Sequence, residues 1–202
     1  MDQRVNTVAG VTPLDGDAQL MLRVRDGDND SFRLLLEKHR NPLIHFVYRM
    51  VQNRAVAEEL GQEVFLRVYR SRDTYEPTAR FTTWLFRIAT RLALNWLRDG
   101  RKERGQYQLD DPGDGETPAR EVPDRRPSME QRMVEGARLQ EVRDAIALLP
   151  EKQRAAVLMH KYEEMDYSQI AVVLECSESA VKSLLFRAYE SLRARLAHLA
   201  TV

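Results

Sequence analysis

Seven residues that interrupt regular structure fall between positions 105 and 127: Gly105, Pro112, Gly113, Gly115, Pro118, Pro123 and Pro127. Proline lacks a backbone donor and glycine is entropically costly to order, so no helix or strand survives that density. Acidic side chains lie among them, at Asp110, Asp111, Asp114, Glu116, Glu121 and Asp124. The stretch 105–127 therefore reads as an acidic Pro/Gly-rich linker, and the chain must build its cores on either side of it. Residues 1–16 are polar, carry Gly10, Pro13 and Gly16, and show no basic-then-apolar leader pattern. They read as a disordered N-terminus. This leaves 17–104 and 128–202 as two small folded domains.

Both domains read as all-α. Ala, Leu, Arg and Glu dominate, and no alternating apolar–polar run suggests a strand. In the first, Asp17 is a plausible N-cap for a helix carrying Leu20, Met21 and Val24, and Asp26-Gly27-Asp28 ends it. A second helix starts near Asp30, and Pro42 fits the first turn of a further segment. The run 55–70 repeats Val56, Leu60, Val64 and Val68 at every fourth position, a buried stripe with Glu58, Glu59, Gln62 and Glu63 off it. A long helix is expected over 81–99, with Gly100 as its C-cap. Phe81, Trp84, Leu85, Ile88 and Leu92 form its apolar face, and Thr83, Arg87, Arg91, Asn95 and Arg98 a polar stripe. Phe86 and Trp96 read as partly buried.

The second domain ends in two short amphipathic helices joined by a tight turn. Ser128 caps its first helix, whose core includes Met133, Leu139, Val142, Ile146 and Leu149; Pro150 starts the next, carrying Ala155, Leu158, Met159 and Tyr162. Asp166 and Gln169 have the spacing of a capping box. Glu175-Cys176-Ser177 makes the turn, and Val181, Leu185, Ala188, Leu192 and Leu196 bury the last helix. Ser179, Lys182, Ser183, Phe186 and Arg187 share its outer face. This is a helix-turn-helix, which lays its second helix in the DNA major groove. Serine hydroxyls suit phosphates, and Lys182 and Arg187 suit phosphates or guanine edges.

The chain as a whole is not basic: 31 Lys and Arg balance 31 Asp and Glu. Unaided DNA binding draws most of its affinity from phosphate neutralisation, so a partner is expected to supply the rest. The one cysteine, Cys176, excludes an intramolecular disulfide and suits the cytosol. No apolar run reaches the roughly 20 residues of a membrane span. The four histidines have no metal-ligand spacing with one another or with Cys176. With no nucleophile–base constellation and no phosphate loop, neither a catalytic site nor a cofactor is expected.

Four collinear segments carry a resemblance: AEELGQEVFLRVYR (57–70), FTTWLFRIATRLALNWLR (81–98), ALLPEKQRAAVLMHKYEEMDYSQIA (147–171) and SAVKSLLFRAYESLR (179–193). Together they resemble a bacterial RNA polymerase sigma factor of the extracytoplasmic-function type, in the sigma-70 family. The resemblance implies that 17–104 docks on core polymerase, through its beta and beta-prime subunits, and recognises the −10 element. It implies that 128–202 recognises the −35 element. Glu59, Gln62, Glu63 and Phe65 then fall in the polymerase-binding segment. Arg87, Arg91, Asn95 and Arg98 fall in the −10 segment, and Ser179, Lys182, Ser183, Phe186 and Arg187 in the −35 reader. An anti-sigma factor is implied as a further partner. Leu184 and Tyr189 stand where relatives commonly have arginine. The alternative is a stand-alone helix-turn-helix regulator with a helical sensor or dimerisation domain.

Overall fold

A computed structural model describes residues 15–104 and 129–200, and the regular structure among them is helical throughout. The linker 105–127, the helix cap expected at Ser128 and the tail through residue 14 lie outside the described residues. The first helix starts before the position the sequence suggests. Helix α1 spans Gly16–Arg25, and its N-cap is Asp15 rather than Asp17. One oxygen of Asp15 accepts from the Ala18 amide at 2.5 Å, and the other from the Phe81 amide at 3.1 Å. A single carboxylate thus satisfies the first turns of two helices distant in sequence. Asp17 is instead buried, accepting from Lys38 Nζ at 2.7 Å and contacting His39 Nε2 at 2.9 Å.

Helix α2, Asn29–Val51, runs unbroken through Pro42. Interior proline typically costs about 3 kcal/mol, which is why the sequence suggests a boundary there. Here the apolar stripe continues on both sides of it: Leu35, Leu43, Phe46, Val47 and Met50 are fully buried, while Pro42 itself faces solvent. Burial of that stripe outweighs the lost hydrogen bond. Helix α3, Arg54–Arg70, is capped by Asn53. It approaches α2 closely at Gly61, where a Cβ would stand 3.0 Å from Ile44 Cγ1. A 3₁₀ turn, Arg72–Thr74, leads to α4, Phe81–Arg104, which passes Gly100 instead of ending there.

The C-terminal helices are α5 (Met129–Ala147), α6 (Glu151–Tyr162), α7 (Tyr167–Leu174) and α8 (Glu178–Leu196). The capping box at α7 is reciprocal: Asp166 accepts from the Gln169 amide at 2.8 Å, and Gln169 Oε1 accepts from the Asp166 amide at 2.9 Å. Glu175 ends α7 in the left-handed region at φ 52°, and the Ser177 hydroxyl caps α8. Leu139 and Tyr162, expected in the core, are 53% and 44% exposed. Phe46, Phe81 and Leu85 centre the packing of α1–α4, and Leu158, Met159, Ile170 and Val181 that of α6–α8. The two groups do not stay apart. Helix α7 lies along α4, and α6 meets α2, so the buried residues form one continuous cluster.

Glu163 lies beside that second seam, just past α6. Burial pushes its carboxyl up to about 7, although Arg49 of α2 pulls the other way. The folded chain therefore holds a proton there that the unfolded chain releases near 4.5. Between those values the native state binds more protons, so this group's contribution to stability falls as pH rises through the window. The Glu163→Gln variant is expected to match wild type near pH 4.5 and to become progressively the more thermostable up to about pH 7–8. Melting curves of both proteins across that range check the prediction. A constant gap at all pH values would contradict it.

Candidate nucleic-acid interface

The end of α3, the turn after it and the first half of α4 enclose a cavity of about 670 Å³. Arg67, Arg70, Arg87 and Arg91 line it, with Ser71, Thr74, Tyr75 and Trp84. Its aromatic wall is fixed from behind. The Tyr75 ring packs 4.9 Å from Trp84, and Trp84 5.9 Å from Phe81, which is fully buried. Burial pushes the Tyr75 hydroxyl up to about 12, so it stays a neutral phenol. Arg67 is braced by Glu63 at 2.7 Å. The result is a cleft with rigid aromatic sides and a cationic mouth, the combination that stacks unpaired bases and holds a phosphate backbone.

Along α4 the expected polar stripe is partly present. Arg87, Arg91 and Arg98 are exposed and Asn95 is half-buried. Thr83 is not on it: at 1% exposure it faces the core, its hydroxyl without a partner among the described residues. Phe86 is likewise core, 3% exposed and edge-on to Phe46 at 5.0 Å. Trp96 is half-buried. Sequence reasoning missed the contribution of α3 and its turn, namely Arg67, Arg70, Thr74 and Tyr75. Helical periodicity finds residues that share one face. It is blind to two elements that meet across a turn.

The outer face of α8 is as expected. Ser179, Lys182, Ser183, Phe186 and Arg187 are all exposed, and Phe186 is 68% exposed. Ser183 Oγ donates back to the Ser179 carbonyl at 3.0 Å. Lys182 Nζ hangs 6.0 Å from the Tyr167 ring of α7. Tyr189, where relatives commonly have arginine, is not on this face: its hydroxyl meets His160 Nδ1 of α6 at 3.0 Å. Leu184 is half-buried. Both departures therefore belong to the packing of α8 rather than to its exposed surface.

The outer face of α3 presents Glu59 and Gln62, with Glu63 half-exposed. Phe65 does not join them. It is 6% exposed and packs into the core, so it supports this surface without forming it. Leu66 takes its place, 49% exposed in line with the acids. Its position seven residues after Glu59 and three after Glu63 places it on their face, a signal the apolar-stripe reading overlooks. Among the described residues, no helix is long and apolar enough to cross a membrane.

The family model described as Sigma-70 region 2 matches residues 35–103, and the one described as Sigma-70, region 4 matches 139–192. RNA polymerase sigma factor CarQ of Myxococcus xanthus is 36% identical over 180 residues, which cover 89% of this chain and 97% of CarQ. The chain belongs to the sigma-70 family. The RNA polymerase sigma-H factor of Pseudomonas aeruginosa is 32% identical over 182 residues, covering 87% of this chain and 91% of that protein. The sigma factor RpoE of Bartonella quintana, solved with the anti-sigma factor NepR, shares the fold at a TM-score of 0.65 and 22% identity. That alignment covers 82% of this chain and 96% of RpoE. Within the family this chain is of the extracytoplasmic-function type. As a sigma factor it binds core RNA polymerase and promoter DNA and directs promoter-specific initiation of transcription. The cavity lies within the region 2 match, and the outer face of α8 within the region 4 match.

Proposed function

We propose that α1–α4 dock on polymerase and capture the −10 element, and that α5–α8 read the −35 element. Glu59, Gln62, Glu63 and Leu66 form the docking surface. An unstacked −10 base enters the cavity between α3 and α4 and stacks on its aromatic wall. Arg70, Arg87, Arg91 and Arg98 carry the adjoining phosphates, and Asn95 contributes hydrogen bonds beside them. Helix α8 lies in the major groove with Ser179, Lys182, Ser183, Phe186 and Arg187 toward DNA. The observation that carries this reading is the cavity itself, with four arginines and a braced aromatic wall on the match to region 2. A net charge of zero fits a subunit whose polymerase supplies much of the binding free energy. The chain carries out no chemical step of its own. By analogy with Bartonella RpoE, an anti-sigma factor holds it in reserve.

Run-off transcription with purified core polymerase on genomic promoter fragments tests the reading. Specific transcripts are expected only when this chain is added. The Glu59→Lys variant, which leaves the Glu63–Arg67 pair of the cavity in place, should cut them about fivefold at limiting protein, since an exposed charge typically contributes up to about 1 kcal/mol. Excess protein should restore them, because the loss is one of docking affinity. Tight sequence-specific DNA binding by the chain alone, with no transcripts, would instead favour a stand-alone regulator.

A further inference from the structure

The cavity between α3 and α4 offers a base an uneven set of hydrogen-bonding groups. Its four arginines supply donors and no acceptor. Two of its hydroxyls have their one proton committed to the backbone: Ser71 donates to the Arg67 carbonyl, and Thr74 to the Ser71 carbonyl at 3.2 Å. The Tyr75 hydroxyl is buried behind the wall and does not reach the cavity's occupant. Among the described residues that line the cavity, Glu76 alone carries a carboxylate. It pairs with none of the arginines around it; Arg67 is held by Glu63 instead, at 2.7 Å.

An exposed acid on a connecting segment is usually no more than solvated. Glu76 differs in how it is held. Tyr75 before it is 4% exposed and packed 4.9 Å from Trp84. Pro77 after it has a fixed φ, and the Thr78 amide donates to the Glu76 carbonyl at 2.8 Å. The backbone is thus pinned on both sides, with the carboxylate left open beside the aromatic wall. We infer that Glu76 makes the cavity selective for a base that carries an exocyclic amine, and selective against thymine. The inference rests on the reading of the cavity as the place of an unstacked −10 base. Cytosine shows the match: its N4 amine donates to the carboxylate, while N3 and O2 accept from arginine. Thymine has a carbonyl where cytosine has the amine. Its only edge donor, N3–H, lies between two carbonyls that repel a carboxylate.

Competition binding by the full chain with core polymerase tests the selectivity. The probes are duplexes of a promoter found by run-off transcription, pre-melted over the −10 element. Each unpaired position in turn carries cytosine, thymine or deoxyuridine. Deoxyuridine lacks the methyl group of thymine but keeps its carbonyl, so it separates the amine from size. At one position wild type should prefer cytosine about tenfold over both, the usual effect of a hydrogen bond to a charged group. In Glu76→Gln the amide turns to donate to a carbonyl as readily as it accepts from an amine, so the ratio there should fall below about twofold. Ratios at the other positions should not move. A purely structural role would weaken all probes alike and leave every ratio as it was. A cytosine preference that is equal in both proteins, or a wild type that favours thymine there, would overturn the role of Glu76 and leave base capture standing. If no position shows a base preference in either protein, capture in the cavity fails and this proposal with it.

Discussion

Transcription is expected to fall at least about 100-fold when Arg70 and Arg91 are both reversed to glutamate. The two residues stand on opposite walls of the cavity, one on α3 and one on α4. Both are exposed, and neither is needed for the core. A hydrogen bond to a charged group contributes about 1.5–3 kcal/mol, so losing two gives roughly 3–6 kcal/mol. At about 1.4 kcal/mol per factor of ten, that is a loss of 100-fold or more. Reversal adds repulsion between the new carboxylates and the DNA backbone. Arg70 follows Leu66 by four residues and so borders the docking face of α3, whereas Arg91 stands on α4. Arg91→Glu alone should therefore still co-purify with core polymerase, and co-purification of the double variant separates a docking loss from a loss of capture. A template with a pre-melted −10 region separates capture from opening. If the cavity only holds an already unpaired base, the premelted template is as badly affected as the duplex. A defect confined to the duplex would place the two arginines in strand separation instead.

The helical register was readable from the sequence because it is local. The capping box of Asp166 and Gln169 and the exposed face of α8 follow from spacing alone. The errors share a physical cause: each needed information from another element. Pro42 reads as a boundary until the burial on both sides of it is known. Asp17 reads as a cap until Lys38 and His39 are found against it. Thr83 reads as part of a polar stripe by its spacing, but the helices packed on α4 bury it. Phe65 reads as part of the docking surface because it falls in the matching motif, yet its ring packs into the core. The cavity was the largest omission. Its walls come from α3, α4 and the turn between them, and no periodicity links Arg70 to Arg91. The seam between the two groups of helices was invisible for the same reason, since Met50 and Arg154 are 104 residues apart.

Phe46→Ala should produce the largest loss of stability, about 3–5 kcal/mol. Its ring is fully buried on α2 and meets Phe86 of α4 edge-on at 5.0 Å. Truncation removes apolar contact and leaves a hole between two helices that a close-packed core fills poorly. Against a total of about 5–15 kcal/mol for a typical protein, that is a large fraction. At about 2–4 °C per kcal/mol for a chain of this size, the melting midpoint should drop by roughly 6–20 °C. Phe46→Leu keeps most of the volume and should lose less than half as much. The shape of the transition carries further information. The core of α1–α4 continues into that of α6–α8, so the chain should melt as one unit even when only α2 is weakened. In the Arg49→Glu, Arg154→Ala variant, which removes both polar contacts between α2 and α6, adding Phe46→Ala should split the transition, with α1–α4 melting first. Calorimetry that shows a single transition in that triple variant would mean that the packing of α7 on α4 couples the two groups of helices.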